Sequence, residues 1–179
     1  MLARTRCIAL NGIQGEPVNV EAFVSPASAF QFNVVGLPDA AVRESRDRVG
    51  AALKNSGFVM PLGHTVVNLS PADLRKEGTA FDLPIAVAVI AASRQMTLPG
   101  LDDVLLIGEL ALDGRLQPVS GALSMVIAAH ERGVRRVLLP SENAREVQVV
   151  AGMEVYPASS LYEAIAHLSG RLPIPAQQQ

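Results

Sequence analysis

One stretch, LPIAVAVIAAS (83–93), constrains the fold more than any other part of the chain. It carries no charge, and its residue types do not sort into an apolar and a polar face. A helix that is apolar all round has to be covered on every side. The run is too short to cross a bilayer, which takes about 20 apolar residues. It therefore reads as a core helix, from Leu83 to about Gln95. The residues feeding it, RKEGTAFDLP (75–84), hold three charges and a glycine, with Asp82 at the junction. Such a turn is either an active-site loop or a helix cap. Pro84 constrains the choice, because proline is tolerated only in the first helical turn. With Thr79 as N-cap, Pro84 would be the fifth helical residue and would clash. With Asp82 as N-cap, Pro84 takes the second position, and the carboxylate meets unpaired N–H groups at the positive end of the dipole.

The rest of the chain is able to cover such a helix. Of 179 residues, 49% are hydrophobic, which suits one domain with a short tail. A formal net charge of -2 and a pI near 5.9 argue against a domain built mainly to coat itself with nucleic acid. Cys7 is the single cysteine, so no internal disulfide can form. His64, His130 and His167 lie far apart, without metal-ligand spacing, so neither a metal nor a cofactor site is expected. The N-terminus lacks the apolar stretch and cleavage site of a signal peptide. A cytoplasmic protein with no membrane partner is the expectation.

Strand and helix signals give the order β-β-β-α-β-α-β-β-α-β-α-β-α. RTRCIAL (4–10) and VNVEAFV (18–24) read as an antiparallel hairpin around NGIQGEP, and FQFNVV (30–35) as a third strand. A helix from Pro38 carries Val42, Val49 and Leu53 on one stripe and ends at Gly57, with Glu44 and Arg48 as an i,i+4 pair. TVVNL (65–69) precedes the charged loop. Asp113-Gly114 predicts that Leu106–Leu112 pairs with Arg115–Val119. Helices follow at 121–132, at 141–150 capped by Ser141, and from Ser159 or Ser160 to Leu168. The fold class is α+β, a mixed sheet with helices packed on one main face. From Gly170 the sequence GRLPIPAQQQ reads as the start of a linker.

Few residues carry chemistry. There is no G-x-x-x-x-G-K-[ST] and no G-x-G-x-x-G, so the chain itself should not hydrolyse ATP. Ser70, Thr79, Ser120 and Ser124 fall in or near loops, none within a G-x-S-x-G elbow. Arg43, Arg46, Arg48, Lys54, Arg75 and Lys76 form a basic group, and Arg132, Arg135 and Arg136 a second. A solvated face explains both, while the first group also supplies candidate contacts for DNA or a neighbouring subunit. No aromatic residues are interleaved with these positions.

Four segments together resemble a known family: VVGLPDAAVRESRDRVGAALKNSG (34–57), VVNLSPADLRKEGTAFDLPIAVAVIAA (66–92), IGELALDGRLQPVSGAL (107–123) and VLLPSENAREVQVVAGMEVYPASSL (137–161). They are similar to the N-terminal domain of the magnesium-chelatase-like AAA+ ATPases, the ComM and YifB type. The resemblance implies a Lon-protease-like fold of the ribosomal protein S5 domain 2 type over residues 1–169. It also implies that 170–179 begins a linker to an ATPase module, which would bind ATP and Mg. Such proteins are associated with hexameric, ATP-driven branch migration of DNA in natural transformation. In Lon proteases the matching loop reads roughly K-D-G-P-S-A-G, with the serine as nucleophile and a lysine after P-x-G-G-L as its base. Here Lys76-Glu77-Gly78-Thr79-Ala80 matches the loop, and Ala80 takes the serine's place. The lysine position falls on Leu123 or Ser124. Both members of the dyad are missing, so no catalytic residue is expected in this chain. The rival reading is a peptidase with an unconventional nucleophile, Thr79 or Ser124.

Overall fold

A computed structural model describes residues 1–177. β1 (Leu2–Asn11) and β2 (Gln14–Ser25) form the expected antiparallel hairpin. The turn is tighter than the sequence suggests: only Gly12 and Ile13 stand outside the strands. Pro17 sits within β2 opposite Ile8, beyond the point where the next strand begins to pair at Asn19, so its missing N–H breaks no ladder. β3 (Gln31–Val35) and β4 (His64–Ser70) extend this side, β4 antiparallel to β2 and β3 parallel to β4 at the edge. β5 (Leu105–Leu106) lies parallel to β1 on its other side. β6 (Glu109–Leu110) and β7 (Leu116–Gln117) form a separate two-residue ladder across the Asp113-Gly114 turn, where Gly114 has φ +94°. The predicted hairpin is therefore much shorter than expected, because Leu106 joins the main sheet instead. β8 (Arg136–Pro140) and β9 (Glu154–Ala158) complete that sheet in parallel, giving the order β3-β4-β2-β1-β5-β8-β9.

The helices are α1 (Ala40–Arg43), α2 (Ser45–Asn55), α3 (Asp82–Ala92), α4 (Ala122–Glu131), α5 (Ser141–Val147) and α6 (Leu161–Leu168). The single helix expected from Pro38 is broken at Glu44, and Asp39 caps its first piece by accepting from Val42 N–H at 2.8 Å. Ser160 is the cap of α6. Ser141 does not cap α5; it is the first helical residue and its hydroxyl meets Ser159. Helices cover both sides of the sheet, not one main face. Consecutive residues Cys7, Ile8 and Ala9 of β1 are all buried. Cys7 and Ala9 pack with α2, α3 and α6, while Ile8 packs with α4 and α5. Parallel strands need crossover connections, and the helices of those crossovers fall on either side. On β2, by contrast, Val18, Val20 and Ala22 are buried while Asn19 and Phe23 are exposed, so that part keeps an open face.

Every residue of α3 is buried, as its composition requires. Asp82 is not its N-cap. It is the first helical residue, after Phe81, and its side chain makes no cap hydrogen bond. The caps are supplied by backbone: Asp82 N–H donates to Thr79 C=O, Leu83 N–H to Gly108 C=O and Ile85 N–H to Phe81 C=O, while Pro84 has no N–H to satisfy. The carboxylate is free to turn inward, where it has no exposure and accepts four hydrogen bonds. They come from Ser45 Oγ (2.5 Å), Arg48 Nε (2.6 Å), Arg48 Nη2 (3.0 Å) and Leu110 N–H (3.0 Å). Arg48 Nη2 also donates to Ala41 C=O at 2.7 Å. Burial pushes the Asp82 carboxyl above its ordinary value, and the donors from Arg48, Ser45 and Leu110 pull it back. All four contacts are donors, so the ionised carboxylate is the form that satisfies them. Hydrogen bonding to Asp82 raises the Arg48 guanidinium further above its ordinary value.

Residues 169–177 form no helix or strand, yet they are fastened to the domain. Ile174 N–H donates to His167 Nδ1 at 2.8 Å, and Gln177 N–H donates to Val155 C=O at 2.8 Å. The His167 ring lies 4.5 Å from that of Tyr156, and burial lowers its pKa below the ordinary value.

Two measurements follow. Removing one member of a buried ion pair costs about 3–5 kcal/mol, whereas losing a helix cap costs about 1 kcal/mol. Asp82→Ala should therefore lower the unfolding free energy in urea by the larger amount, and a loss near 1 kcal/mol would refute the pinning role. For His167 the folded pKa is depressed, so its contribution is complete above the unfolded value of about 6.5 and lost as pH falls through the folded one. Hydrogen exchange should show lower protection of the Ile174 amide at about pH 5 than at about pH 7.5; equal protection would contradict it.

Candidate functional site

The loop between β4 and α3 is held by its backbone and by one buried amine. Lys76 N–H donates to Leu37 C=O at 3.0 Å, and Asp39 N–H donates to Lys76 C=O at 2.9 Å, so the loop runs beside residues 37–39 like a short strand. Lys76 itself is fully buried. Its Nζ donates to Gly36 C=O at 2.7 Å and to Pro71 C=O. Burial lowers the pKa of this ammonium. Asp39 is shared: Oδ1 caps α1 and Oδ2 accepts from Gly78 N–H at 3.2 Å, where Gly78 turns the chain with φ +88°.

Beyond Gly78 the loop forms one wall of a cleft of about 390 Å³, lined among others by Thr79, Ala80, Ser120 and Met125. The opposite wall is set by Asn143, a buried residue that the sequence reading did not single out. Its side-chain amide accepts from Val119 N–H at 2.9 Å and donates to Val119 C=O at 3.0 Å, fixing the backbone just before Ser120. The charged groups in the lining are the acids Asp39 and Glu77. No lysine or histidine lines it, so neither Thr79 nor Ser120 has an amine or imidazole base within the cleft. Ala80 is buried at the cleft floor, and its C=O accepts from Gly108 N–H at 3.0 Å. Cys7 Sγ lies 4.0 Å from that oxygen, with its thiol pushed up to about 12 by burial, which leaves it protonated and inert.

The other sequence candidates are scattered. Ser124 lines a separate hollow with Ile13, Gln14 and Ile127, and Leu123 is half-buried away from the cleft. Of the six basic positions, Arg43, Arg46, Lys54 and Arg75 are exposed. Arg75 is paired with Glu77 at 2.9 Å. Two cannot serve as surface contacts. Lys76 has no exposed area, and the Arg48 guanidinium is committed to Asp82 with its side chain 18% exposed. Asp82 draws in the one, and the backbone carbonyls of Gly36 and Pro71 the other, which a local charge pattern does not reveal. In the second basic group, Arg132 and Arg136 are balanced by Glu16 and Glu154. Among the described residues no group of three His, Cys, Asp or Glu side chains could hold a metal, and no helix is long and apolar enough to cross a membrane.

Comparison with known proteins gives a consistent picture. The family model of subunit ChlI of Mg-chelatase matches residues 20–143. The chain is 41% identical over 160 residues to the YifB protein of Escherichia coli, covering 89% of this chain and 31% of that one. It is 38% identical over 164 residues to competence protein ComM of Haemophilus influenzae, covering 92% of this chain and 32% of that one. It is also 34% identical over 108 residues to the Lon protease of Rhizobium meliloti, covering 57% of this chain and 13% of that one. The chain spans about a third of the length of the YifB and ComM relatives. The matched region runs from β2 through the charged loop, α3 and α4 into α5, which takes in both walls of the cleft. By that match the chain belongs to the ChlI family of Mg-chelatase-like proteins, in its ComM and YifB type.

Proposed function

We propose that this chain is a non-catalytic, Lon-like domain of a longer AAA+ ATPase. The observation that carries the reading is the cleft: Ala80 stands at the floor position of the nucleophile loop, and the lining holds acids but no basic side chain. With no lysine or histidine beside it to take its proton, a hydroxyl here stays a weak nucleophile at neutral pH. In this proposal the longer protein is a hexameric ATP-dependent motor that moves DNA branches during transformation. The competence name of the Haemophilus relative supports that role. ATP and Mg belong to the ATPase module, and the domain contributes to ring assembly or to DNA contact. Arg43, Arg46 and Lys54, the exposed basic residues of α1 and α2, are the candidate contacts.

Incubation with unfolded casein tests the non-catalytic part. No peptide release is expected, and turnover that disappears in Thr79→Ala or Ser124→Ala would overturn it in favour of a peptidase. DNA contact is tested by gel shift at low ionic strength. Binding should weaken steeply with added salt and weaken again when Arg43 and Arg46 are both changed to Glu, because phosphate contacts act through charge. A chain that gives no shift at low salt makes no DNA contact through this domain.

A further inference from the structure

The two edges of the sheet are built differently. At the β9 edge, Val155 C=O is occupied by Gln177 N–H, and Pro157 offers no N–H at all. Proline and covering segments are the usual means of blocking strand addition. The β3 edge has no such device. Gln31 N–H donates inward to Gly63 C=O, and the parallel register to β4 continues residue by residue to Val35. Alternation along a parallel strand then turns the N–H and C=O of Phe32 and Val34 away from β4. No hydrogen bond is made to these four groups among the described residues. The edge is flanked by exposed apolar side chains, Phe30 at 51% and Val35 at 45%. Beside it runs a hollow of about 460 Å³ between the strand and α1–α2, with Arg43, Glu44, Arg46 and Asp47 in its lining.

We propose that the β3 edge pairs antiparallel with the β3 edge of a second copy of this chain, about a two-fold axis through Asn33. The occupant follows from symmetry. A two-fold contact must match itself, and the free groups at positions 32 and 34 are evenly placed about 33. Antiparallel pairing sets Phe32 opposite Val34 of the other copy, each exchanging its N–H and C=O with its opposite. Gln31 then faces Val35 of the other copy, and Phe30 and Val35 become covered at the two ends. The helix wall suits a partner identical to itself, since positions 43, 44, 46 and 47 carry plus, minus, plus and minus charges. The two copies then share one continuous sheet. This contact is self-matching, whereas a ring is built from head-to-tail contacts, so its test does not rest on the proposed motor role.

Val34→Pro is the direct test. It removes the outward N–H while leaving the inward ladder of Gln31, Asn33 and Val35 to β4 intact. Sedimentation of the 179-residue chain should show a concentration-dependent dimer. Val34→Pro should weaken its association by at least about tenfold, for two symmetry-related hydrogen bonds lost. Circular dichroism of the variant reports whether it has folded. Hydrogen exchange on the unaltered chain gives an independent readout, in which protection of the Phe32 and Val34 amides should rise with protein concentration. A monomer at all concentrations up to about 1 mM, a span that would still detect a weak complex, overturns the proposal. So does a dimer in which these two amides stay unprotected.

Discussion

Asp82 fixes what burial alone leaves undetermined. α3 is apolar on all sides, so hydrophobic burial rewards its enclosure but scarcely favours one rotation over another. Its first residue supplies the missing specification. The carboxylate ties α3 to α2 through Ser45 and Arg48 and to β6 through Leu110 N–H, and Arg48 carries the tie on to α1 through Ala41 C=O. Each of these contacts is directional, and each would be lost by a small turn of the helix. The desolvation cost of a buried charge is offset only when every acceptor position is filled, and here four donors converge on two oxygens. The break between α1 and α2 at Glu44 belongs to the same arrangement, because it places Ser45 and Arg48 where α3 begins.

The cleft shares this fixation, and no lysine or histidine stands in its lining. Its loop is bound on one side through Asp39 and Lys76 and on the other through the Gly108 backbone. Asn143 holds the facing segment by both of its amide groups. Such double fixation is what a catalytic constellation needs for its geometry. The chemistry needs a nucleophile and a base as well, and the lining supplies only hydroxyls and carboxylates. The Gly108 backbone serves both cleft and core, since its N–H donates to Ala80 C=O and its C=O accepts from Leu83 N–H at the start of α3.

Much of this was legible from residues alone. The apolar run announced a helix covered all round, RTRCIAL and VNVEAFV announced the β1–β2 hairpin, and Asp113-Gly114 placed a turn. Pro84 correctly put the helix start within two residues. What escaped was long-range partnering. Asp82 next to a helix start looks like a cap, and only the backbone carbonyls of Thr79 and Gly108 remove that need. Arg48 and Lys76 sit in charge-rich stretches that look solvated, yet each finds acceptors that sequence proximity does not disclose: Asp82 for one, the carbonyls of Gly36 and Pro71 for the other. Asn143 was missed because a polar residue in a charged helix gives no signal that its face turns inward. Helices on both sides of the sheet escaped as well, one main face being the expectation, although the apolar run Cys7-Ile8-Ala9 departs from strict alternation.

The position of the loop also explains why the site is not simply one substitution away from reactivity. Ala80 packs in the core that contains α4 and α5, whereas its neighbour Phe81 packs in the core that contains α2 and α3. The chain therefore passes from one side of the sheet to the other at this point. A serine at 80 would place its hydroxyl on the cleft floor, where Ala80 is buried and the Cys7 thiol nearby is protonated. A buried hydroxyl without a partner costs stability. It would also gain no base, because the helix position that would supply one carries Leu123 and Ser124, and neither lines the cleft. A serine on the loop and a base on α4 would both have to be fitted into the one core that Ala80 shares with α4.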